Sequence, residues 1–456
     1  MAALAEVLVS RGARVTGSDS PERFYTDAIL RRLGIPFVEG FAAANLPADA
    51  QLVVHSAAYQ PTENPELAEA VRRGLPLATY PEALGMLSTH SSSSAICGVH
   101  GKSTTTALCG SIVKAWGLPA TVIVGAEVPG FGNRSTLVQG DRYLVAETCE
   151  YRRHFLNYHP TRIVMTSIEP EHLDYFRDLE DMLDAFVTYG LLLPMGGSLV
   201  YCHDDPGAAE AARRIGSRRT DIDVTPYGRT APGDYRIVEE AHREGAASFR
   251  LGGWDARFTL RIPGAHNVLN AAAAVALCAQ LWRLERPGVA VDLQAAARAL
   301  SDFRGSRRRS EVVGEAGGIL FLDDYAHHPT AVATTLAGIK GFYPGRRLVV
   351  DFMSHTYSRT RALLAQFAAC FSAADLVILH RIYASARERP EDGFGGRDLE
   401  QAVARNHPNV KYFEDPLGAA DAVALELRPG DLFVTMGAGD NWKLGRELLR
   451  RFGGGS

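Results

Sequence analysis

No two of the six cysteines form a Cys-x-x-Cys pair; positions 97, 109, 149, 202, 278 and 370 are scattered along the chain. Such spacing supplies neither the paired thiolates of a structural zinc site nor the framework of a disulfide-stapled domain, and it fits a reducing cytoplasm. Long apolar runs are missing as well. None approaches the roughly 18 residues of a membrane-spanning helix, and the N-terminus lacks the basic-then-apolar layout of a secretory signal. There is no surplus of one charge: 48 Lys and Arg against 52 Asp and Glu leave a formal net charge of −4. Electrostatics therefore gives no reason to expect nucleic acid or an anionic membrane as a partner. No internal repeat of solenoid period is present. What remains is the composition of an ordinary soluble protein, 46% hydrophobic and 22% charged, in a chain of 456 residues. That length is enough for roughly two to four domains with sizeable cores.

One stretch organises the rest: Cys97-Gly98-Val99-His100-Gly101-Lys102-Ser103-Thr104-Thr105-Thr106. Apolar Ala95-Ile96 leads into a glycine-bracketed turn, and apolar residues then recur at helical spacing at Ala107, Leu108, Ile112, Val113 and Trp116. The pattern reads as strand, tight loop, helix. Glycines let a backbone wrap a phosphate, a helix N-terminus points N–H groups at it, lysine adds a point charge, and Ser103 can ligate Mg²⁺. The generic phosphate-loop pattern has a glycine five positions before Gly101, where this chain has Ile96, so the loop is a shorter variant. A glycine turn with a solvated lysine is the plainer reading, but the flanking strand and helix are those the phosphate mechanism requires.

Residues 1–86 read as a small α/β unit. Ala2–Arg11 is helical in pattern, Ala13–Asp19 is a strand ending in Gly17-Ser18-Asp19, Ala28–Leu33 is a second helix, and Leu52–His55 is a buried strand followed by Ser56-Ala57-Ala58. Nucleotide-binding α/β folds carry an acidic residue at such a strand end to reach a sugar hydroxyl; a plain turn residue is the other reading of Asp19. The first strand and Gly-x-Gly loop with which such folds open do not precede Ala2–Arg11, so the unit is expected to be N-terminally incomplete.

Residues 87–300 form the second expected unit, and the serine-rich stretch from Ser88 to Ser94 reads as a linker. Apolar β-rich runs at Thr121–Gly125, Tyr143–Ala146 and Arg162–Ser167 have the rhythm of a mainly parallel sheet. The second run ends in Glu147, and the third leads into Glu169-Pro170-Glu171-His172-Leu173-Asp174. Groups just past strand C-termini lie where open α/β sheets bind ligands, and oxygen ligands with a histidine beside a phosphate loop suit Mg²⁺. Singly, each is explained by a solvated glutamate or a turn-capping histidine; jointly they read as a metal site. Gly264–Asn270 then precedes an alanine-rich helix, Ala271–Ala279. Asn267 and Asn270 lie one turn apart on one face, which suits a base or ribose and equally a helix cap.

Residues 301–456 open with Phe303-Arg304-Gly305-Ser306-Arg307-Arg308-Arg309, a basic cluster in an acidic chain that fits one polyanionic ligand. Strands follow at Ile319–Leu322, Arg347–Asp351, Leu376–His380 and Asp431–Thr435, with a helix from Thr330. The first strand runs into Asp323-Asp324-Tyr325-Ala326-His327-His328-Pro329 and the second into Ser354-His355-Thr356-Tyr357-Ser358-Arg359-Thr360-Arg361. Alternating strand and helix is the pattern of a further nucleotide-type α/β domain. The Gly-Gly-Gly-Ser end reads as a flexible tail.

Taken in order, these segments resemble the Mur ligases, ATP-dependent amino-acid ligases of peptidoglycan precursor synthesis. Gly98–Thr105 is similar to their ATP loop, Glu147 and Glu171-His172 to their metal segment, His266–Asn270 to their adenine segment, and Asp324–Pro329 to their third-domain signature. The resemblance covers essentially the whole chain and implies three α/β domains: an incomplete Rossmann-like UDP-sugar domain, a central P-loop ATPase-like domain with a mainly parallel sheet, and a Rossmann-like C-terminal domain. Within the family, the Asp-Asp-Tyr-x-His-His-Pro segment, the arginine run and the His-x-Tyr-x-Arg-Thr segment point to members that join L-alanine to UDP-N-acetylmuramate. The cofactors implied are ATP and Mg²⁺, the location cytoplasmic, and the partners small molecules only.

The same resemblance implies roles. Gly98, Val99, His100, Gly101, Lys102, Ser103 and Thr104 would hold the phosphates, with Lys102 on the β/γ-phosphates; Ser103, Glu147 and His172 would hold metal. Asn267 and Asn270 would take the adenine end, and Arg309 and Asp324 the phosphates and ribose. Ser18, Asp19 and Ser56 would line the sugar site, while Tyr325, His327, His355 and Arg359 would surround the alanine and acyl group, with His327 or His355 accepting the amine's proton. Two departures stand out. The family's usual Glu-Ala-Asp-Glu-Ser-Asp is Glu147-Thr148-Cys149-Glu150-Tyr151-Arg152 here, which leaves the leading Glu147 as the metal ligand. An arginine of the family pattern is replaced by Thr356, leaving Arg359, Arg361 or Arg307 for the substrate's acid end. A sister ligase (one that recycles murein tripeptide, or a folylpolyglutamate synthase) and a non-catalytic nucleotide-binding module are the alternatives.

Overall fold

The computed structural model describes residues 1–20, 25–172, 175–243, 245–384 and 393–453; Leu173 and Asp174 of the acidic segment and residues 454–456 of the tail lie outside the described residues. The architecture is α/β, and contacts gather the chain into two units. One comprises Met1–Ile237, Gly252–Trp254 and Asn270–Ala299, the other Val238–Leu251, Asp255–Leu269 and Leu300–Ser456.

In the first unit, two parallel ribbons come first: β1 (Gly17–Asp19) with β2 (Phe37–Glu39), and β3 (Val53–His55) with β4 (Leu77–Thr79). The strand expected over Ala13–Asp19 is thus limited to its last three residues. That expected as buried over Leu52–His55 is only half-buried, with Leu52 exposed. A two-stranded ribbon has too little neighbouring surface to bury both faces. Helix Ala2–Ser10 buries Leu4 and Val7 and places the buried Glu6 carboxylate on Arg134, at 2.9 Å, and on the Thr136 hydroxyl.

The serine-rich stretch is not a linker. Ser88 ends the helix Tyr80–Ser88, and Ser92–Cys97 is β5, the middle strand of a seven-stranded sheet. Buried Ser88 and Ser93 are tolerated because their hydroxyls are small and find carbonyls: Ser88 Oγ donates to Gly85 O at 2.6 Å and Ser93 Oγ to Ser88 O at 2.5 Å. The sheet adds β6 (Ala120–Val128), β7 (Arg134–Val138), β8 (Tyr143–Glu147), β9 (Arg162–Met165), β10 (Ser198–Cys202) and β11 (Asp223–Tyr227). Their order is β11-β10-β9-β5-β8-β6-β7, and every pairing is parallel except β6–β7. Ile96, Val145, Ala146, Ile163 and Val164 are fully buried, as expected of parallel strands covered on both faces. Helices Lys102–Trp116 and His266–Glu285 contribute to that cover, and Trp116 meets Trp282 at 5.0 Å between ring centroids.

The second unit has a three-stranded sheet, β12 (Ile237–Arg243), β13 (Ala246–Leu251) and β14 (Arg257–Leu260), and a six-stranded one. The latter contains β15 (Glu311–Ala316), β16 (Ile319–Asp324), β17 (Arg347–Met353), β18 (Leu376–Leu379), β19 (Val410–Tyr412) and β20 (Asp431–Gly437) in the order β15-β16-β20-β17-β18-β19. Only the β15–β16 pairing is antiparallel. Side chains alternate between faces. Leu348, Val350 and Phe352 of β17 therefore pack with Val332, Leu336 and Ile339 of helix Pro329–Phe342, while Val349 joins Leu444 and Leu448 of helix Trp442–Arg451. Full burial of a side chain such as Phe352 contributes about 1.5–3 kcal/mol. The four strands expected here all form. β16 is longer than expected and takes in Asp323 and Asp324. No helix among the described residues is long and apolar enough to cross a membrane.

Candidate active site

Strand β5 ends at Cys97 between β8 and β9, and Gly98–Gly101 turns the chain into helix Lys102–Trp116. Gly98 has φ +130° and Gly101 φ +85°, conformations that side chains resist. Space is closed there too: a Cβ would lie 2.1 Å from Thr166 Oγ1 at position 98 and 2.4 Å from Asn270 Oδ1 at position 101. The loop is stitched to the segment after β9. Val99 N–H donates to Ser167 O at 2.9 Å, His100 N–H to Ser167 Oγ at 3.0 Å, and Thr166 Oγ1 to His100 O at 2.5 Å. Ser103 and Thr104 fall in the helix's first turn, where unpaired N–H groups and the helix dipole favour an anion.

Lys102 lies back over this loop. Its Nζ donates to Gly98 O, to Val99 O at 3.3 Å and to both carboxylate oxygens of Glu150, at 3.0 and 3.2 Å. Burial opposes the ammonium, but the Glu150 charge outweighs it and holds Lys102 above its usual value. Burial likewise opposes the Glu150 carboxylate, and Lys102 with the hydrogen bond from His172 outweighs it, holding Glu150 below the usual carboxylate range. His172 Nε2 stands 3.5 Å from Glu150 Oε1, and the His172 ring is 4.7 Å from that of Tyr151. Glu147, the acid singled out by the motif, ends β8 with Oε1 in the space a side chain at Gly125 would take. Its charge also bears on Lys102. The carboxylate in direct contact with Lys102 and His172 is nevertheless Glu150, three residues later. His100 Nε2 meets Glu169 Oε1 at 2.5 Å, and Glu171 is buried.

In the second unit, the guanidinium groups of Arg308 and Arg309 each sit 5.2 Å from the Tyr325 ring centroid. Arg308 Nε also donates to Asp323 Oδ2 at 3.0 Å. Burial pushes the Asp323 carboxyl up to about 6, with Arg308 and the Thr435 hydroxyl working against it. Asp324, expected to reach a phosphate or ribose, is turned inward instead. Its Oδ2 accepts from Ser310 N–H at 2.6 Å and its Oδ1 from Ala326 N–H at 2.8 Å, so it braces the turns that carry Arg308–Ser310 and Tyr325–Ala326. Tyr325, His327, His355 and Arg359 do gather. Ring centroids of Tyr325 and His327 are 5.1 Å apart and those of His327 and His355 6.0 Å, and Arg359 Nη1 is 3.4 Å from His355 Nδ1. Burial, then the Arg359 charge, hold His327 well below the ordinary imidazole range. Its Nδ1 lies 2.9 Å from Tyr325 O, which can only accept, so Nδ1 carries the hydrogen and Nε2 the lone pair.

The two asparagines face different neighbours. Asn270 Oδ1 accepts from Thr105 Oγ1 at 3.3 Å and lies under Gly101, which makes it a support of the Gly98–Gly101 loop. Asn267 Nδ2 donates to Pro263 O at 2.6 Å. Ser18 Oγ donates to Glu66 at 2.6–2.7 Å, Asp19 Oδ1 accepts from Ser20 N–H at 2.8 Å, and Ser56 Oγ accepts from Ala58 N–H at 3.2 Å, so these last two have the geometry of turn residues. Glu66, which also accepts from Asn45 Nδ2 at 2.7 Å and Ala42 N–H at 3.2 Å, is the organising acid that sequence reasoning missed at this end. The helix start Asn64-Pro65-Glu66, with Asn64 as its cap, was the available signal. For Glu150 the signal was its place three residues beyond Glu147 in the same motif segment, Glu147-Thr148-Cys149-Glu150.

Comparison with known proteins agrees along the whole chain. Residues 1–92 match the Mur ligase family catalytic domain, residues 96–278 the Mur ligase middle domain, and residues 308–439 the Mur ligase glutamate ligase domain. The chain is 50% identical over 453 residues to a protein of Treponema pallidum named UDP-N-acetylmuramate–L-alanine ligase, covering 99% of this chain and 94% of that one. A protein of the same name from Desulfitobacterium hafniense is 39% identical, with 98% and 97% covered. Among solved structures, the UDP-N-acetylmuramate-alanine ligase of Thermotoga maritima superposes with a TM-score of 0.80 at 24% identity, covering 99% of this chain and 96% of that one, and so shares its fold.

Proposed function

Because the chain belongs to the Mur ligase family, we propose that it is the ATP-dependent ligase that joins L-alanine to the lactyl carboxylate of UDP-N-acetylmuramate, a step of peptidoglycan precursor synthesis. The full-length identity to relatives named for this reaction carries the reading. The loop that places Lys102 against the buried Glu150, which His172 also meets, supports its phosphoryl-transfer half.

The lactyl carboxylate attacks the γ-phosphorus of ATP, ADP leaves, and an acyl phosphate forms. The amine of L-alanine then adds to the acyl carbon, and the tetrahedral adduct expels phosphate as the amide forms. Two anions must meet in the first step, so a fixed positive charge at the phosphates lowers its barrier; this is the role of Lys102. Gly98–Thr104 would wrap the phosphates. Ser103, Glu147 and His172 would hold Mg²⁺, a hard cation that takes few protein oxygens, and when bound it would neutralise phosphate charge. In the second step the attacking amine must lose a proton. His327 holds a lone pair on Nε2, and its neutrality suits it to accept one. Arg359 would hold the alanine carboxylate, since a guanidinium reads a carboxylate bidentately. In this reading residues 1–86 hold the UDP-sugar, 87–300 the ATP and 301–456 the amino acid, and the enzyme works in the cytoplasm.

Phosphate release measured over a panel of amino acids and UDP-sugars tests the proposal. Turnover is expected only with ATP, UDP-N-acetylmuramate and L-alanine together. Turnover with glutamate or a free tripeptide, and none with alanine, would overturn it.

A further inference from the structure

Beneath the His355 cluster lies a polar chain that none of these roles uses. Asp351, in β17, and His380, just past β18, have fully buried side chains, with Asp351 Oδ2 2.7 Å from His380 Nε2. His380 Nδ1 reaches Phe413 O, just past β19, at 2.9 Å. On the other side, Asp351 Oδ1 accepts from Asn441 Nδ2 at 2.8 Å, and the same amide nitrogen lies 3.1 Å from Met436 O in β20. Four adjacent strands, in the order β20-β17-β18-β19, are therefore tied across their carboxyl ends by one chain: Met436 O, Asn441, Asp351, His380, Phe413 O.

Apolar residues would fill this layer at less cost in desolvation, and the strands are already paired by their own ladders. What the chain adds is a fixed spacing at the strand ends. The residues that follow those ends form the candidate amino-acid site. Four residues after Asp351 comes His355, and three after His380 comes Tyr383. Tyr383 N–H donates to Ser354 O at 2.8 Å, Thr356 N–H donates to Tyr383 O at 2.9 Å, and the His355 and Tyr383 rings stack at 6.0 Å. Thr356 holds φ +67° across this junction, a backbone state that persists only where its surroundings fix it.

We infer that Asp351, His380 and Asn441 are positioning residues that hold the His355–Tyr383 junction, and through it His355 and Arg359, in register for the amino-acid substrate. The inference rests on the proposed reading of that site. Hydrogen-bond chemistry makes the chain specific. A carbonyl only accepts, so His380 Nδ1 carries a hydrogen, and Asp351 and His380 Nε2 share one further proton. Replacing Asp351 by Asn keeps this pattern: the amide oxygen still accepts from Asn441, and the amide N–H donates to a neutral His380 Nε2. Replacing Asn441 by Ala breaks it.

The test compares Asp351→Asn with Asn441→Ala, and with His380→Asn should the latter not fold. Two readouts are taken: the side-chain ¹H–¹⁵N signals and titration of His355 without substrates, and the KM for L-alanine and for ATP. In Asn441→Ala the His355 signals should shift and the KM for L-alanine rise about tenfold, with the KM for ATP within twofold. Asp351→Asn should leave both near the unsubstituted values. A fall in melting temperature with unmoved His355 signals, or equal losses in every kinetic constant, would overturn the inference. If the unsubstituted enzyme does not use L-alanine, the functional reading falls, while the His355 signals still decide the positioning role.

Discussion

Each unit buries a charged side chain of consequence, Lys102 in the first and Asp323 in the second. Among the described residues, Lys102 is the one cation placed on the carbonyls of Gly98 and Val99 and on Glu150 together. Lys102→Ala should lower phosphate release at least about a hundredfold, in line with removing a fixed charge from a developing anion, whereas retained turnover would show the loop to be misassigned. Asp323 makes a prediction of opposite flavour, because its folded pKa is raised, to about 6, above the unfolded value of 3.8. The folded state binds the extra proton between those values, so its contribution to stability is complete below pH 3.8 and is lost as pH rises through about 6. Relative to Asp323→Asn, the unsubstituted protein should lose up to about 3 kcal/mol between pH 4 and pH 7. Urea unfolding at a series of pH values measures this, and parallel curves for the two proteins would refute it.

Among elements, β5 shows what composition hides. A strand of Ser-Ser-Ser-Ala-Ile-Cys reads as a linker because serine is common in loops, yet Ser93 and Ser94 are fully buried. Ser93→Ala strands the Ser88 carbonyl that its hydroxyl serves and should cost about 1 kcal/mol in chemical denaturation; an unchanged midpoint would mean that another group serves that carbonyl. The neighbouring parallel strands were legible for the complementary reason. Covered on both faces, they appear in sequence as plain apolar runs such as Tyr143–Ala146 and Arg347–Asp351. The three-stranded sheet β12-β13-β14 was not read at all, since the consecutive charges Glu239 and Glu240 break the apolar/polar alternation of β12. The strand–loop–helix around Gly98–Gly101, the placement of His172 beside it and the gathering of Tyr325, His327, His355 and Arg359 were legible from motif and order, as geometry. Glu66 and Glu150 were not, because sequence does not tell a buried, partnered carboxylate from a solvated one. The inward turn of Asp324 depends on Ser310 and Ala326 N–H groups that only the folded turns bring to it.

At the scale of the molecule, ligand binding should register as global stability. ATP with Mg²⁺ at a hundred times its dissociation constant adds about 2.7 kcal/mol to unfolding if only the folded chain binds it. A rise in melting temperature with both, lost on adding a chelator and absent in Lys102→Ala, is the expected result; a rise indifferent to the chelator would argue against Ser103, Glu147 and His172 as metal ligands. The buried Asp351–His380 pair has a consequence of another kind, for the history of the chain. Losing either partner alone leaves a buried charge or an unmet hydrogen bond, at about 3–5 kcal/mol, whereas losing both to apolar residues is close to neutral. Against a total stability of about 5–15 kcal/mol, most single steps away from the pair are closed. A lineage that has acquired it can leave by one change only where the hydrogen bonds are kept, as with Asp351→Asn, and otherwise by two changes made together, so the pair acts as a ratchet against apolar replacement of either residue alone.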